Sequence, residues 1–197
     1  MKISTLILAA GSSSRLGRPK QLLRFEGTTL IEKITRVALN VSNHVLIVLG
    51  ANEILIRPHL DVLVQENISK LEIALNPEWE EGMGKSLSFG VKKLAESSDA
   101  ILVVLSDQLF VDEVLLQKIL QTFAESKMPI VACSYANQLA VPILFGKDLY
   151  PDLMTLSGDK GAKILLNKHS DKVESIAFPA GIFDVDTPND VEKFKLS

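Results

Sequence analysis

The 197-residue chain has one cysteine, one tryptophan and three histidines, and no large excess of either charge: 21 Lys plus Arg stand against 24 Asp plus Glu, a formal net charge of −3. A lone Cys133 cannot form an internal disulfide. Its apolar flank Ile130, Val131 and Ala132 suits a buried strand thiol in a reducing, cytoplasmic setting. Without a global positive field, neither nucleic acid nor an acidic membrane is an expected partner, and any phosphate must be held locally. Long hydrophobic runs are also missing. Leu6 to Ala10, Val45 to Leu49 and Ala100 to Leu105 fall far short of the roughly 18 residues that a spanning helix needs. Lys2 followed by Ile3 to Ala10 has the outline of a signal peptide, but Ser4 and Thr5 interrupt it, and a buried first strand explains it more simply. His44, His59 and His169 are dispersed without partners at metal-ligand spacing, which speaks against zinc. No G-x-S-x-G elbow supports a hydrolase.

Short runs rich in β-branched residues alternate with segments of helical period, which is the pattern of an α/β layered domain. Strands are expected at Ile3 to Leu8, His44 to Leu49, Leu71 to Leu75, Ala100 to Leu105 and Ile130 to Ser134. Most are continuous apolar runs, as strands covered on both faces should be. Leu30, Ile31, Ile34, Val37 and Ala38 share one helical face, and Val111, Val114, Leu115, Ile119 and Phe123 share another. Shorter strands are expected at Val141 to Phe145, Val173 to Ala177 and Gly181 to Val185, with a helix over Gly161 to Asn167 and a mixed sheet in this last third. The 11 Gly and 8 Pro are scattered, and no linker or repeat divides the chain, so one domain over residues 1–197 is expected.

After the first strand comes Ala9-Ala10-Gly11-Ser12-Ser13-Ser14-Arg15-Leu16-Gly17-Arg18-Pro19-Lys20. Small side chains let backbone N–H groups approach phosphate oxygens, Gly11 and Gly17 let successive amides converge, and Arg15 and Lys20 add charge. Composition alone leaves this open against a serine-rich turn with solvated cations. The glycine spacing excludes a dinucleotide fingerprint, and Gly84-Lys85-Ser86 is not a P-loop because the required earlier glycine falls at Trp79. Asp107 follows a central apolar run, and Asp186 precedes Thr187-Pro188, where a helix should start. Two carboxylates at strand ends suit Mg²⁺ with phosphate oxygens, although on residue type alone a turn residue and a helix cap are the commoner roles. Gly82 and Ser86 stand at the entry of a helix after Asn76-Pro77-Glu78-Trp79, where N–H groups and a hydroxyl can read a base edge or simply cap the helix.

The run Leu8 to Lys20 closely resembles the signature loop L-A-A-G-x-S-x-R-x-G-x-P-K of the nucleotidyltransferases that build the molybdenum cofactor, the cytidylyltransferase branch in particular. Ser106-Asp107-Gln108 resembles that family's D-Q-P strand end, and Asp184 to Asp190 its D-x-D-T-P-x-D close. Asn76 to Leu87 resembles N-P-x-W-x-x-G-M-x-x-S-L, and Gly158-Asp159-Lys160-Gly161-Ala162-Lys163 resembles G-D-K/R-G-A-R. The resemblance implies a three-layer α/β/α, nucleotide-diphospho-sugar-transferase-like (Rossmann-like) fold with a mostly parallel mixed sheet. It implies that Ala9, Ala10, Gly11, Ser12, Arg15 and Lys20 hold the nucleotide phosphates, that Gly82 and Ser86 lie beside the base, and that Asp107 and Asp186 bind Mg²⁺. Arg15, Lys20 and Asp107 would carry the catalysis. Gln108, Gly158, Asp159 and Lys160 would face the acceptor. CTP and molybdopterin are the implied substrates, with a molybdoenzyme or its chaperone as the partner downstream. Two departures stand out. Leu109 replaces the usual proline, and Leu139-Ala140-Val141-Pro142 replaces a Gly-His-Pro-type turn near the acceptor. The second admits a sugar phosphate or another small phosphate ester as acceptor, and a carrier that binds nucleotide without catalysis is a further alternative.

Overall fold

The computed structural model describes residues 1–159 and 161–196. Lys160, expected on the acceptor side, lies outside the described residues. Seven strands form one sheet: β1 (Ile3–Ala9), β4 (His44–Leu49), β5 (Leu71–Leu75), β6 (Ala100–Leu105), β7 (Ile130–Tyr135), β8 (Gln138–Gly146) and β9 (Val173–Ala177), in the order β5-β4-β1-β6-β8-β7-β9. Only β8 runs against its neighbours; the pairings of β1 with β4 and β6, β4 with β5, and β7 with β9 are parallel.

β1 sits at the centre of the sheet, and its continuous apolar run has two destinations because successive side chains point to opposite faces. Ile3, Ile7 and Ala9 enter one core layer, whereas Leu6 and Leu8 enter the other. Each fully buried leucine or isoleucine, such as Leu6 or Ile7, contributes on the order of 1.5–3 kcal/mol. The first layer is closed by α1 (Leu30–Val41), α2 (Glu53–Ile56), α3 (Asp61–Glu66) and α5 (Glu113–Ser126), and the second by α4 (Met83–Leu94), α6 (Tyr150–Leu153) and α7 (Lys163–Lys168). The result is the expected three-layer α/β/α arrangement. α1 buries Leu30, Ile31, Ile34 and Ala38 and starts at a capping box in which Thr29 and Glu32 satisfy each other's backbone N–H groups. α5 is capped by Asp112, whose Oδ1 accepts from Leu115 N at 2.8 Å.

Two local expectations are corrected, and one element is new. Val114 does not join the buried face of α5, because 73% of it is exposed while Leu116 and Ile119 fill the core. Gly181 to Val185 is not a strand: Pro179, which lacks a donor for a ladder, opens a 3₁₀ turn over Pro179–Ile182, and only Asp184 pairs, through an isolated bridge to Gln108. A small hairpin of β2 (Arg24–Phe25) and β3 (Thr28–Thr29) was not anticipated. Its two turn residues, Glu26 at φ 53° and Gly27 at φ 85°, are both left-handed, as a tight hairpin requires. The last helix, α8 (Pro188–Lys193), starts at Thr187 with a second capping box.

Candidate active site

β1 is flanked by β4 on one side and β6 on the other, so the chain leaves its carboxyl edge in diverging directions and opens a crevice there. The loop after β1 enters this crevice and is held from beneath by Gln21, which is 1% exposed. Its Nε2 donates to Ala9 O at 3.0 Å and to Gly11 O at 3.3 Å. Ser13 Oγ accepts from Lys20 N at 3.1 Å, which brings the end of the loop back to its middle. Asn52 Nδ2 donates to Ser12 O at 3.3 Å from the outer side. Gly17 takes a positive φ of 72° as expected, but the other left-handed residue is Ser13, at φ 57°, and not Gly11. Gln21 is thus a positioning residue of the loop that residue types alone did not single out. Its signal was its place directly after Lys20.

Lys20 lies where the end of β6 meets the segment that leads into α8. Its Nζ donates to Asp107 Oδ2 and, at 3.2 Å, to Asp186 Oδ1. Arg15 Nη2 donates to the other oxygen of Asp186 at 2.8 Å. Burial pulls the Lys20 ammonium toward neutrality, but Asp107 first and then Asp186 outweigh it and hold its pKa above the ordinary lysine value. Arg15 is different. Its side chain is 71% exposed, so its ion pair is of the surface kind, worth about 0–1 kcal/mol, and it can exchange Asp186 for a ligand anion at little cost.

A third acid, Asp184, went unselected in the sequence although it opens the motif that contains Asp186. Burial, reinforced by the negative charge of Asp107, pushes its pKa up to about 6. Its Oδ1 and Gln108 Oε1 are buried without a hydrogen-bond partner among the described residues. Gln108 Nε2 donates to Val141 O at 3.0 Å, so the altered Leu139-to-Val141 segment is part of β8 and is tied directly to the residue after Asp107. Leu109, the replacement for proline, is buried in a small cluster with Leu23, Leu30 and Val185.

A cavity of about 320 Å³ runs from Lys20 and Asp107 past Ala9, Ala10, Gly11 and Ser12 to Trp79, Gly82, Met83 and Ser86. A second concavity of about 210 Å³, lined by Gly11 to Leu16, Lys20 and Asp186, shares Gly11, Ser12 and Lys20 with it. Ser86 is buried; its Oγ accepts from Asn76 Nδ2 at 3.0 Å, which leaves the hydroxyl proton available to the cavity. Gly82 takes φ 98°, and a Cβ there would meet Gly158 C at 2.5 Å. The structure therefore joins most of the expected residues and divides one group. Gly158 packs on Gly82 and Asp159 lines the same cavity as Ser86, whereas Gln108 sits on the other side, against Val141 and Asp184.

Comparison with known proteins adds a family, two relatives and two solved structures. Residues 5–173 match the MobA-like NTP transferase domain. The nicotine blue oxidoreductase of Paenarthrobacter nicotinovorans is 32% identical over 174 residues, covering 84% of this chain and 82% of that protein. The purine catabolism protein PucB of Bacillus subtilis is 30% identical over 199 residues, 95% of this chain and 93% of that protein. Among solved structures, Rv0371c of Mycobacterium tuberculosis superposes with a TM-score of 0.78 at 26% identity, covering 98% of this chain and 97% of that one. A manganese complex of the same mycobacterial protein superposes at 0.77, with 24% identity and 98% of both chains covered.

Proposed function

Given that the chain belongs to the MobA-like NTP transferase domain family, we propose that it transfers the cytidylyl group of CTP to the phosphate of a molybdopterin-type acceptor. A phosphate oxygen of the acceptor attacks the α-phosphorus. The bond from that phosphorus to the bridging oxygen breaks, and pyrophosphate leaves with the electron pair. No covalent enzyme intermediate is needed, and the protein's part is positioning and charge stabilisation.

The observation that carries the reading is the Lys20 ammonium, held by Asp107 and Asp186 at the junction of the two concavities. In it the smaller concavity takes the β- and γ-phosphates against the loop from Gly11 to Arg15. Lys20 meets the α-phosphate, and the larger cavity takes the ribose and base beside Gly82 and Ser86. Gln108 faces the acceptor. The two carboxylates that converge on Lys20 make a donor set that suits Mg²⁺ together with phosphate oxygens and water. Among the described residues no group of three or more His, Cys, Asp or Glu could hold a metal by itself; in this reading nucleotide phosphates and water complete the shell. Asp107 and Asp186 would hold Mg²⁺, which when bound supplies Lewis-acid stabilisation of phosphoryl oxygens.

The acceptor rests on the motif resemblance, since the names of the two curated relatives point to different chemistry. Pyrophosphate release should therefore be measured with Mg²⁺ and each of CTP, GTP, ATP and UTP, with and without molybdopterin. Release with CTP only when molybdopterin is present is the expected result. Release with a sugar phosphate in place of molybdopterin would replace the acceptor, and tight CTP binding with no release from any acceptor would make the protein a carrier.

A further inference from the structure

The larger cavity carries a carboxylate that the phosphate chemistry does not use. Asp159 lines the same space as Trp79, Gly82, Met83 and Ser86, and its position is built by the backbone. Gly158 N donates to Glu81 O at 2.9 Å, and Gly84 N donates back to Gly158 O at 2.8 Å. These two bonds stitch the segment before α7 to the start of α4. The absence of a side chain at residue 82 is what admits it. A Cβ on Gly82 would lie 2.6 Å from Gly158 O and 2.7 Å from Asp159 Oδ1. The carboxylate is thus seated against the glycine that borders the expected base, in the cavity that Lys20 and Asp107 also line.

An ionised carboxylate only accepts hydrogen bonds, so it favours a base edge that offers N–H donors and disfavours one that offers carbonyl lone pairs. Cytosine presents an exocyclic amine at N4, where uracil presents the acceptor O4; the two rings are otherwise the same size. We infer that Asp159 is a specificity-determining residue that reads the nucleobase, accepting from the cytosine amine and so selecting CTP over UTP. The inference rests on the placement of the nucleotide proposed above and moves Asp159 from the acceptor to the base. Ser86, which lines the same cavity, supports it with a hydroxyl proton available to a ring acceptor. Sites built to pair a polar group discriminate strongly against the analogue that leaves it unpaired. Asp159 is exposed in the free protein, which moderates the effect.

The test needs no acceptor. Trp79 is the only tryptophan of the chain and borders the cavity, so its fluorescence reports CTP and UTP binding directly. The wild type is expected to bind CTP about tenfold or more tighter than UTP. In Asp159→Asn the amide can turn its N–H toward O4, so CTP should weaken, UTP should tighten, and the ratio should fall to near one. In Asp159→Ala the ratio should also fall, without the gain for UTP. A wild type with no preference, or variants that keep it, would overturn the inference; in the second case cytidylyl transfer still stands. A preference that collapses in the variants while no pyrophosphate is released with molybdopterin would support the inference and overturn the proposed reaction.

Discussion

Lys20 shows how one side chain can be both predictable and incomplete in sequence. Its motif position is plain, but the pairing with acids 87 and 166 residues away is a product of folding. Replacing it with alanine removes the positive charge between Asp107 and Asp186, so both carboxylates then oppose the incoming triphosphate. Turnover should fall about 10²-fold or more, measured as pyrophosphate release, and near-normal turnover would remove Lys20 from the catalytic set. Gly82 makes a second test at this scale. Gly82→Ala meets both a φ of 98° and the Gly158 backbone, a combination that should cost about 1–3 kcal/mol and lower the melting temperature by several degrees. An unchanged melting temperature would mean that the two segments separate easily.

At the scale of elements, the capping of α8 and the placing of Asp186 are one event. Asp190 Oδ2 accepts from Asp186 N at 3.1 Å, from Thr187 N at 2.8 Å and from Thr187 Oγ1 at 2.8 Å. Asp190→Ala leaves the direct ligands in place but frees the backbone that aims Asp186. A misplacement of about 1 Å can cost up to 10²-fold, so kcat should fall at least tenfold, with CTP binding by Trp79 fluorescence changed much less. Equal loss of both would assign Asp190 to the nucleotide itself. The strands β1, β4, β6 and β7 were legible as short, mostly apolar runs, β5 and β9 as short stretches in which apolar residues flank a glutamate, and β8 in part, through Val141 to Phe145. Gly181 to Val185 looked similar, but Pro179 and the single bridge from Asp184 to Gln108 prevented a ladder. The hairpin of β2 and β3 has only two residues per strand, too few for an alternation to register.

For the whole molecule, the proposed metal belongs to the reaction and not to the fold. Chelation should abolish pyrophosphate release, and Mg²⁺ should restore it. The melting temperature without nucleotide should hold, because Lys20 already neutralises the carboxylates and two buried core layers hold the sheet. A large drop on chelation would show that the ion is structural. Among the described residues no helix is long and apolar enough to cross a membrane, in line with the short runs in the sequence. From the sequence alone, local periodicity settled the layered α/β class and most strands, and the motif positions of Arg15, Lys20, Asp107 and Asp186 marked one edge of the sheet. Local patterns carry that much because a strand's burial and a loop's phosphate-binding make-up are written in neighbouring residues. Tertiary structure decided the rest: that Gln21 props the loop, that half-buried Asp184 bridges to Gln108, and that Asp159 stands with Gly82 instead of with Gln108. Those relations depend on which segments pack together across the sheet edge, and no short-range pattern records the backbone bonds from Gly158 to Glu81 and from Gly84 to Gly158 that bring them there.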